Sequence, residues 1–185
     1  MKKYTAIEIE KFLRGIDSFL KKKVSVIIIG GTAAALAYKV SMATQDIDTW
    51  NSTKDLKDAY EKAKKSTGLE IPLGQVSVGD APINFEDRLE VFKPQKFKKL
   101  IVKVPEVGDL ILMKTLRGYE HDLESIEEMV KTQKVKAEIL TQRYATELGS
   151  AIGNKRVLDT NFLAMIERCF GKREAEKSKK TIGFV

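Results

Sequence analysis

The sequence predicts an α/β (α+β) fold in which a small mixed β-sheet is flanked by helices and followed by a C-terminal helical region. Three patterns lead there. Val24-Ser25-Val26-Ile27-Ile28-Ile29 is a β-branched run too short for a helix of its own and suited to a buried strand. Gly30-Gly31 then gives way to Thr32-Ala33-Ala34-Ala35-Leu36-Ala37-Tyr38, rich in good helix formers, so strand, turn and helix follow in direct succession. Beyond Pro105 apolar residues recur at three- and four-residue intervals almost to the chain end. The core is expected over residues 1–118 and the helical region over residues 119–185, which can pack as one domain with it.

The remaining elements follow the same rules. Ile9, Phe12, Leu13, Ile16, Phe19 and Leu20 mark an amphipathic first helix over about residues 5–22 that should cover one face of the sheet. Residues 53–66 read as a charged surface helix, capped by Ser52 or Thr53 and stopped by Gly68. Segments 75–78, 88–92 and 100–104 are strand candidates, the last two joined by the polar turn Lys93-Pro94-Gln95-Lys96. A helix is expected from Val107 to Arg117, continuing or restarting after Gly118 to about Val130. On it Leu112, Leu116, Leu123 and Ile126 share one side and Lys114, Arg117 and His121 the other, a cationic stripe opposite an apolar one. Two further helices are expected over 134–148 and 155–170, and the basic residues after 170 read as a frayed extension able to reach across an RNA.

Composition bounds the function. With 185 residues, 43% of them hydrophobic, the chain can bury one proper core and a small helical appendage. It contains no apolar run long enough to span a membrane and no secretory signal pattern, so no membrane partner is expected. One cysteine, Cys169, excludes an intramolecular disulfide and fits a reducing cytoplasm, where it should pack in a helix. With only that cysteine and His121, a zinc site of the usual kind is not available, and the metal this chain can serve is Mg²⁺ or Mn²⁺ held by oxygen ligands. The net charge of +7 suits a triphosphate or nucleic acid, although the lysines are dispersed and mostly read as solvated surface.

The chemistry gathers around Asp46-Ile47-Asp48. In an extended strand the side-chain period is two, so Asp46 and Asp48 project from one face while Ile47 turns inward. Two neighbouring carboxylates repel unless water or a cation screens them, and paired Mg²⁺ ions are a common use of such a placement. Without a Cβ, Gly30 and Gly31 let backbone N–H groups approach an anion, and Thr32 stands where an N-cap would leave further N–H groups for phosphate.

Hydrophobic strand, Gly30-Gly31-Thr32-Ala33, helix and then Thr44-Gln45-Asp46-Ile47-Asp48 together resemble the signature of the nucleotidyltransferase superfamily that includes DNA polymerase β. The chain is most similar to its small prokaryotic minimal and toxin-type branch, found in abortive-infection and toxin–antitoxin systems, over roughly residues 24–130. The resemblance implies a nucleotidyltransferase-like core that moves a nucleoside monophosphate from a nucleoside triphosphate to an acceptor hydroxyl on RNA, tRNA, a protein or a small molecule. It implies that Gly30 and Gly31 hold the triphosphate, to which the N-cap reading adds Thr32, that Asp46 and Asp48 bind the metal, and that Lys114, within Asp109-Leu110-Ile111-Leu112-Met113-Lys114 ahead of His121-Asp122-Leu123, contacts phosphate. Two departures stand out. Ser41-Met42-Ala43 occupies the place where many relatives carry an arginine, and the third carboxylate is not singled out by spacing among Asp80, Glu86, Asp87 and Glu90, with Asp87 and Asp80 ranked first. The alternative is a degenerate, non-catalytic fold member that binds nucleotide or nucleic acid. A dinucleotide-binding unit fits poorly, because the full Gly-x-Gly-x-x-Gly spacing is absent. The acceptor, the preferred base and the oligomeric state are not readable from the residues.

Overall fold

The computed structural model describes residues 2–51, 54–76, 80–93, 97–148 and 151–184. The architecture is mixed α and β, with small sheets among helices as expected. The chain divides into two compact units, Met1–Ser77 with Leu89–Pro105, and Val78–Arg88 with Glu106–Val185.

In the first unit the elements run α1 (Ala6–Phe19), β1 (Val24–Ile27), α2 (Gly30–Ala37), β2 (Ile47–Thr49), α3 (Lys54–Thr67), β3 (Leu73–Gln75), β4 (Glu90–Val91) and β5 (Leu100–Val104). Strands β1, β5 and β4 form one sheet, β1 parallel and β4 antiparallel to β5, and β2 pairs in parallel with β3. An antiparallel bridge between Ile28 and Thr49 joins the end of β1 to β2. Thr5 and Glu8 close a reciprocal capping box at the start of α1. The apolar stripe of α1 then buries Ile9, Phe12, Leu13 and Ile16. Helix α1 packs on α3 at Gly15, where an added Cβ would stand 2.7 Å from Thr67 Cγ2 and 3.3 Å from Ala63 Cβ, so the glycine sets how closely the two helices approach. Gly68 ends α3 with φ +68°, its N–H donating to Lys64 O at 3.1 Å. The expected caps Ser52 and Thr53 and most of the expected turn 93–96 lie outside the described residues. The expected strand over 75–78 is displaced toward the N-terminus: β3 ends at Gln75, although Val76 N–H still donates to Thr49 O at 2.9 Å, and 77–78 lie outside the described residues.

The second unit holds a 3-10 turn (Phe85–Arg88), α4 (Val107–Arg117), α5 (Glu120–Gln133), α6 (Ala137–Glu147), α7 (Lys155–Phe170) and α8 (Lys172–Thr181). Gly118 in the left-handed region, φ +67°, breaks α4 from α5, so the helix restarts rather than continues. Buried Asp109 on α4 is met by Arg88 Nε at 2.8 Å and Arg143 at 3.0 Å, and Arg88 also reaches Glu147 at 2.6 Å. The residues after 170 are not the frayed extension the sequence suggested: they form α8. Ala175 and Ser178, three residues apart, turn to one buried side of it, and the hydroxyls of Ser178 and Thr141 lie 2.7 Å apart. Cys169 is part-buried in α7, and burial pushes its thiol up to about 11, in keeping with packing rather than reactivity. Among the described residues no helix is long and apolar enough to cross a membrane.

One carboxylate ties the first unit together. Asp17, buried near the end of α1, accepts the backbone N–H groups of Lys98, Lys99 and Leu100 at 2.6–3.1 Å, anchoring the entry to β5. Burial by itself would push this carboxyl up, but the N–H donors of Lys98, Leu100 and Lys99 outweigh it and hold it below its ordinary value of 3.8. A depressed carboxylate contributes stability that is fully present above its unfolded value and is lost as pH falls through the folded one. Asp17→Asn should therefore cost roughly 2 kcal/mol near neutrality. In urea titrations the deficit relative to wild type should shrink as pH falls below 3.8, and a deficit independent of pH would contradict the anchoring role.

Candidate active site

The site is assembled where β1 runs into α2. Ile29 N–H donates to Asp48 O at 2.9 Å and Trp50 N–H to Ile27 O at 2.8 Å, so the residues ahead of the diglycine lie antiparallel to the Asp46-Ile47-Asp48 segment. Gly30 then turns with φ +66°, a conformation that disfavours any residue with a Cβ, and α2 begins. Its N-cap is Ile29, and no side chain caps the helix start. An apolar residue at this position leaves the N–H groups of the first turn to another acceptor.

Thr32 is therefore not the N-cap that its place in the sequence suggested. It is the third residue of α2 and is 1% exposed, and its hydroxyl donates to Asp46 O at 2.6 Å. The N-cap lies three residues earlier than expected because Gly30 supplies the turn by itself.

Along β2 the burial alternates as the strand period requires. Ile47 and Thr49 are buried while Asp48 between them is part-exposed, and Asp46, also part-exposed, lies just before the strand begins. Asp48 stands against the bend. Its Oδ2 lies 3.1 Å from where a Cβ on Gly30 would sit, and its Oδ1 lies 3.6 Å from the corresponding point on Gly74. Gly74 is the register partner of Asp48 on β3, so the carboxylate rests between two residues that lack side chains. Gly31 makes room in the same way: its Cβ would stand 2.9 Å from Thr44 Oγ1, and that hydroxyl is 3.3 Å from Asp46 O.

Sequence reasoning missed Gly74 and Thr44. A lone glycine within a short strand is a known mark of close approach and could have pointed to Gly74. Thr44 stood in the Thr44-Gln45-Asp46-Ile47-Asp48 motif with no role of its own, because its use depends on which backbone lies opposite.

The other expected site residues are placed as follows. Lys114 does not stand on an exposed cationic stripe. It is 3% exposed, with Nζ 2.7 Å from Asp122 Oδ1, and Arg117 meets the same oxygen at 2.9 Å. The helical wheel placed it opposite the leucines, but α4 is buried nearly all round, so even its polar side faces protein. Asp122 Oδ2 and Ser125 Oγ are buried with no hydrogen-bond partner among the described residues. Asp80 accepts Ile152 N–H at 2.8 Å, a loop-holding contact. Asp87 is exposed on the 3-10 turn, in a segment the sequence had also allowed as the entry to a strand. Lys114, Asp80 and Asp87 belong to the second unit, Asp46 and Asp48 to the first. Among the described residues no three His, Cys, Asp or Glu side chains gather into a group that could hold a metal.

A family model described as "Nucleotidyltransferase of unknown function (DUF6036)" matches residues 7–169. The chain belongs to that nucleotidyltransferase family. No curated protein and no solved structure matches it. The match extends past both sides of the region that carries the motifs, from α1 through nearly all of α7, so both units are family material. Within this nucleotidyltransferase the bend, the uncapped helix start and the acid pair all lie in the first unit.

The packing of Asp48 against the bend makes a stability prediction. Gly30→Ala combines a left-handed backbone with a Cβ pressed on Asp48, whereas Gly68→Ala meets the same backbone constraint with nothing within 4 Å. Gly68→Ala should cost about 1 kcal/mol and Gly30→Ala about 2 kcal/mol. In chemical denaturation the excess at Gly30 should disappear in an Asp48→Ala background, and an excess that survives there would mean Asp48 is not what the new methyl meets.

Proposed function

We propose that this nucleotidyltransferase transfers a nucleoside monophosphate from a nucleoside triphosphate to an acceptor hydroxyl, with Mg²⁺ or Mn²⁺ held by Asp46 and Asp48. The observation that carries the reading is the Asp48 carboxylate lying against Gly30 at the start of a helix no side chain caps. In this reading the uncapped turn takes the anion and the neighbouring carboxylate takes the metal, the side-by-side arrangement that a metal–triphosphate ligand requires.

The donor set fits such a metal. Both candidate ligands are hard carboxylate oxygens, part-exposed, and the cradle beside Asp48 is one that a Cβ at Gly30 would crowd. Mg²⁺ is commonly bound by one or two carboxylates with substrate phosphates and water completing its shell, so a pair suffices without a third acid in the group. A cation bound there would offset the negative charge that builds on the phosphoryl oxygens during transfer.

The chain's own residues have distinct tasks in this proposal. The N–H groups at the start of α2, from Gly30 to Thr32, face the phosphates and hold them in place. Asp46 and Asp48 supply the negative charge that recruits the cation. The acceptor oxygen bonds to the α-phosphorus as pyrophosphate departs, and its proton is lost to water. RNA, tRNA, a protein or a small molecule is the acceptor class. The likeness to the toxin-type branch supports a place in a toxin–antitoxin or phage-defence system, and the single cysteine supports a cytoplasmic one.

A second reading is favoured by two observations. The acid pair has no third acid grouped with it among the described residues, and Ser41-Met42-Ala43 lacks the arginine many relatives carry, features that suit a protein that binds nucleotide without turning it over. Incubation with each α-labelled triphosphate, Mg²⁺ and cellular RNA and protein separates the two. Label should move to an acceptor with wild type, and Asp48→Asn should reduce transfer at least about 100-fold at unchanged melting temperature, in line with loss of a charge-stabilising group. Transfer by Asp48→Asn at the wild-type rate would remove Asp48 from the site. Nucleotide binding with no transfer by wild type would establish the non-catalytic reading.

A further inference from the structure

The helical threonines of this chain spend their hydroxyls in one way, with an exception. Thr67, Thr115, Thr132, Thr141, Thr146, Thr160 and Thr181 each donate to the carbonyl four residues earlier in their own helix, at 2.8–3.2 Å. That is the ordinary local bond for threonine in a helix. Thr32 instead reaches across to Asp46 O at 2.6 Å. As the third residue of α2 it has no helical carbonyl four residues behind it, so its hydroxyl is available to a neighbouring segment. Thr44 donates to the same oxygen at 3.3 Å.

The acceptor of these bonds matters. Asp48 is held by its strand: Ile29 N–H donates to its carbonyl, and it stands in register with Gly74 on β3. Asp46 lies just before β2 begins and is outside that register. Its peptide is gripped from one side by the two hydroxyls and from the next residue by Ile47 N–H donating to Pro72 O at 2.8 Å. Thr44 is itself fixed, because its N–H and carbonyl both pair with Tyr4, at 3.1 and 2.7 Å. Gly31 leaves the space in which the Thr44 hydroxyl stands, since a Cβ there would come within 2.9 Å of it.

We propose that Thr32 and Thr44 are positioning residues that set the direction of the Asp46 carboxylate by clamping its carbonyl, and that Gly31 serves that clamp sterically. The Thr32 hydroxyl then acts through Asp46, and only the backbone N–H of this residue faces the phosphates. The diglycine has two divided tasks: Gly30 gives space to the Asp48 carboxylate, and Gly31 gives space to the hydroxyl that aims Asp46. This inference rests on the reading of Asp46 and Asp48 as metal ligands.

The test is Mn²⁺ binding by the full chain, followed by electron paramagnetic resonance, with melting temperature measured alongside. Thr32→Val keeps the shape of a buried side chain and removes only its hydroxyl, whereas Thr32→Ser keeps the hydroxyl. Thr32→Val should weaken Mn²⁺ binding about tenfold, and Thr44→Val, which removes a longer bond, about threefold. Thr32→Ser should bind within about twofold of wild type, a rescue that loss of packing would not give. Should Thr32→Val fail to fold, Thr44→Val at a part-exposed position and Gly31→Ala, which displaces its hydroxyl, carry the test. Wild-type affinity in the valine variants, or in Thr44→Val and Gly31→Ala where Thr32→Val does not fold, overturns the clamp while leaving the metal site in place. Failure of wild type itself to bind Mn²⁺ at millimolar concentration overturns the metal reading and the clamp with it.

Discussion

The antiparallel contact between the end of β1 and β2 is the constraint on which the site depends. Ile28 bridges Thr49, Ile29 N–H holds Asp48 O, and Trp50 N–H holds Ile27 O. These few backbone bonds bring two segments well separated in sequence to one place, so that the bend at Gly30 falls beside the Asp48 carboxylate. Backbone pairing suits this purpose, because it fixes register, and a one-residue slip would exchange Asp48 for a buried neighbour. The alternation of buried Ile47 and Thr49 with part-exposed Asp46 and Asp48 makes such a slip costly.

Around that contact the glycines serve as absences with a purpose. Gly30 and Gly74 flank one carboxylate, Gly31 leaves room for a hydroxyl, and Gly15 lets α1 and α3 close on each other. Only at Gly30 among these does the backbone also demand a positive φ. Space, more than flexibility, is what they supply. The same economy appears in Ile29, whose apolar side chain cannot cap α2 and so leaves its first turn open to an anion.

The second unit spends its charges inward. Arg88 and Arg143 neutralise buried Asp109, and Lys114 and Arg117 share buried Asp122. Buried ion pairs of this kind contribute little net stability relative to apolar packing, but losing one partner strands the other, so they define a single arrangement of the helices that carry them. Lys114 is nevertheless the one buried basic residue among the described residues, and most lysines stay exposed and dispersed, so the net charge is a poor guide to where a polyanion would lie. In α8 the opposite holds: Ala175 and Ser178 face inward and its basic residues are left outside.

Local pattern was sufficient to reveal the strand, bend and helix over residues 24–38, the amphipathic α1, the Asp46-Ile47-Asp48 pair and its membership of a nucleotidyltransferase family, because period, β-branching and glycine placement act over a few residues. What only the tertiary structure decided was which distant groups meet. It gave Gly74 to Asp48, Thr32 and Thr44 to Asp46, buried Asp122 to Lys114, and a packing surface to the residues after 170. None of these is written in spacing, since a side chain's partner depends on the register and packing of elements far apart in the chain. A hydroxyl bonding to its own helix and one reaching across to another segment look the same in sequence, and they differ only in what the fold places opposite them.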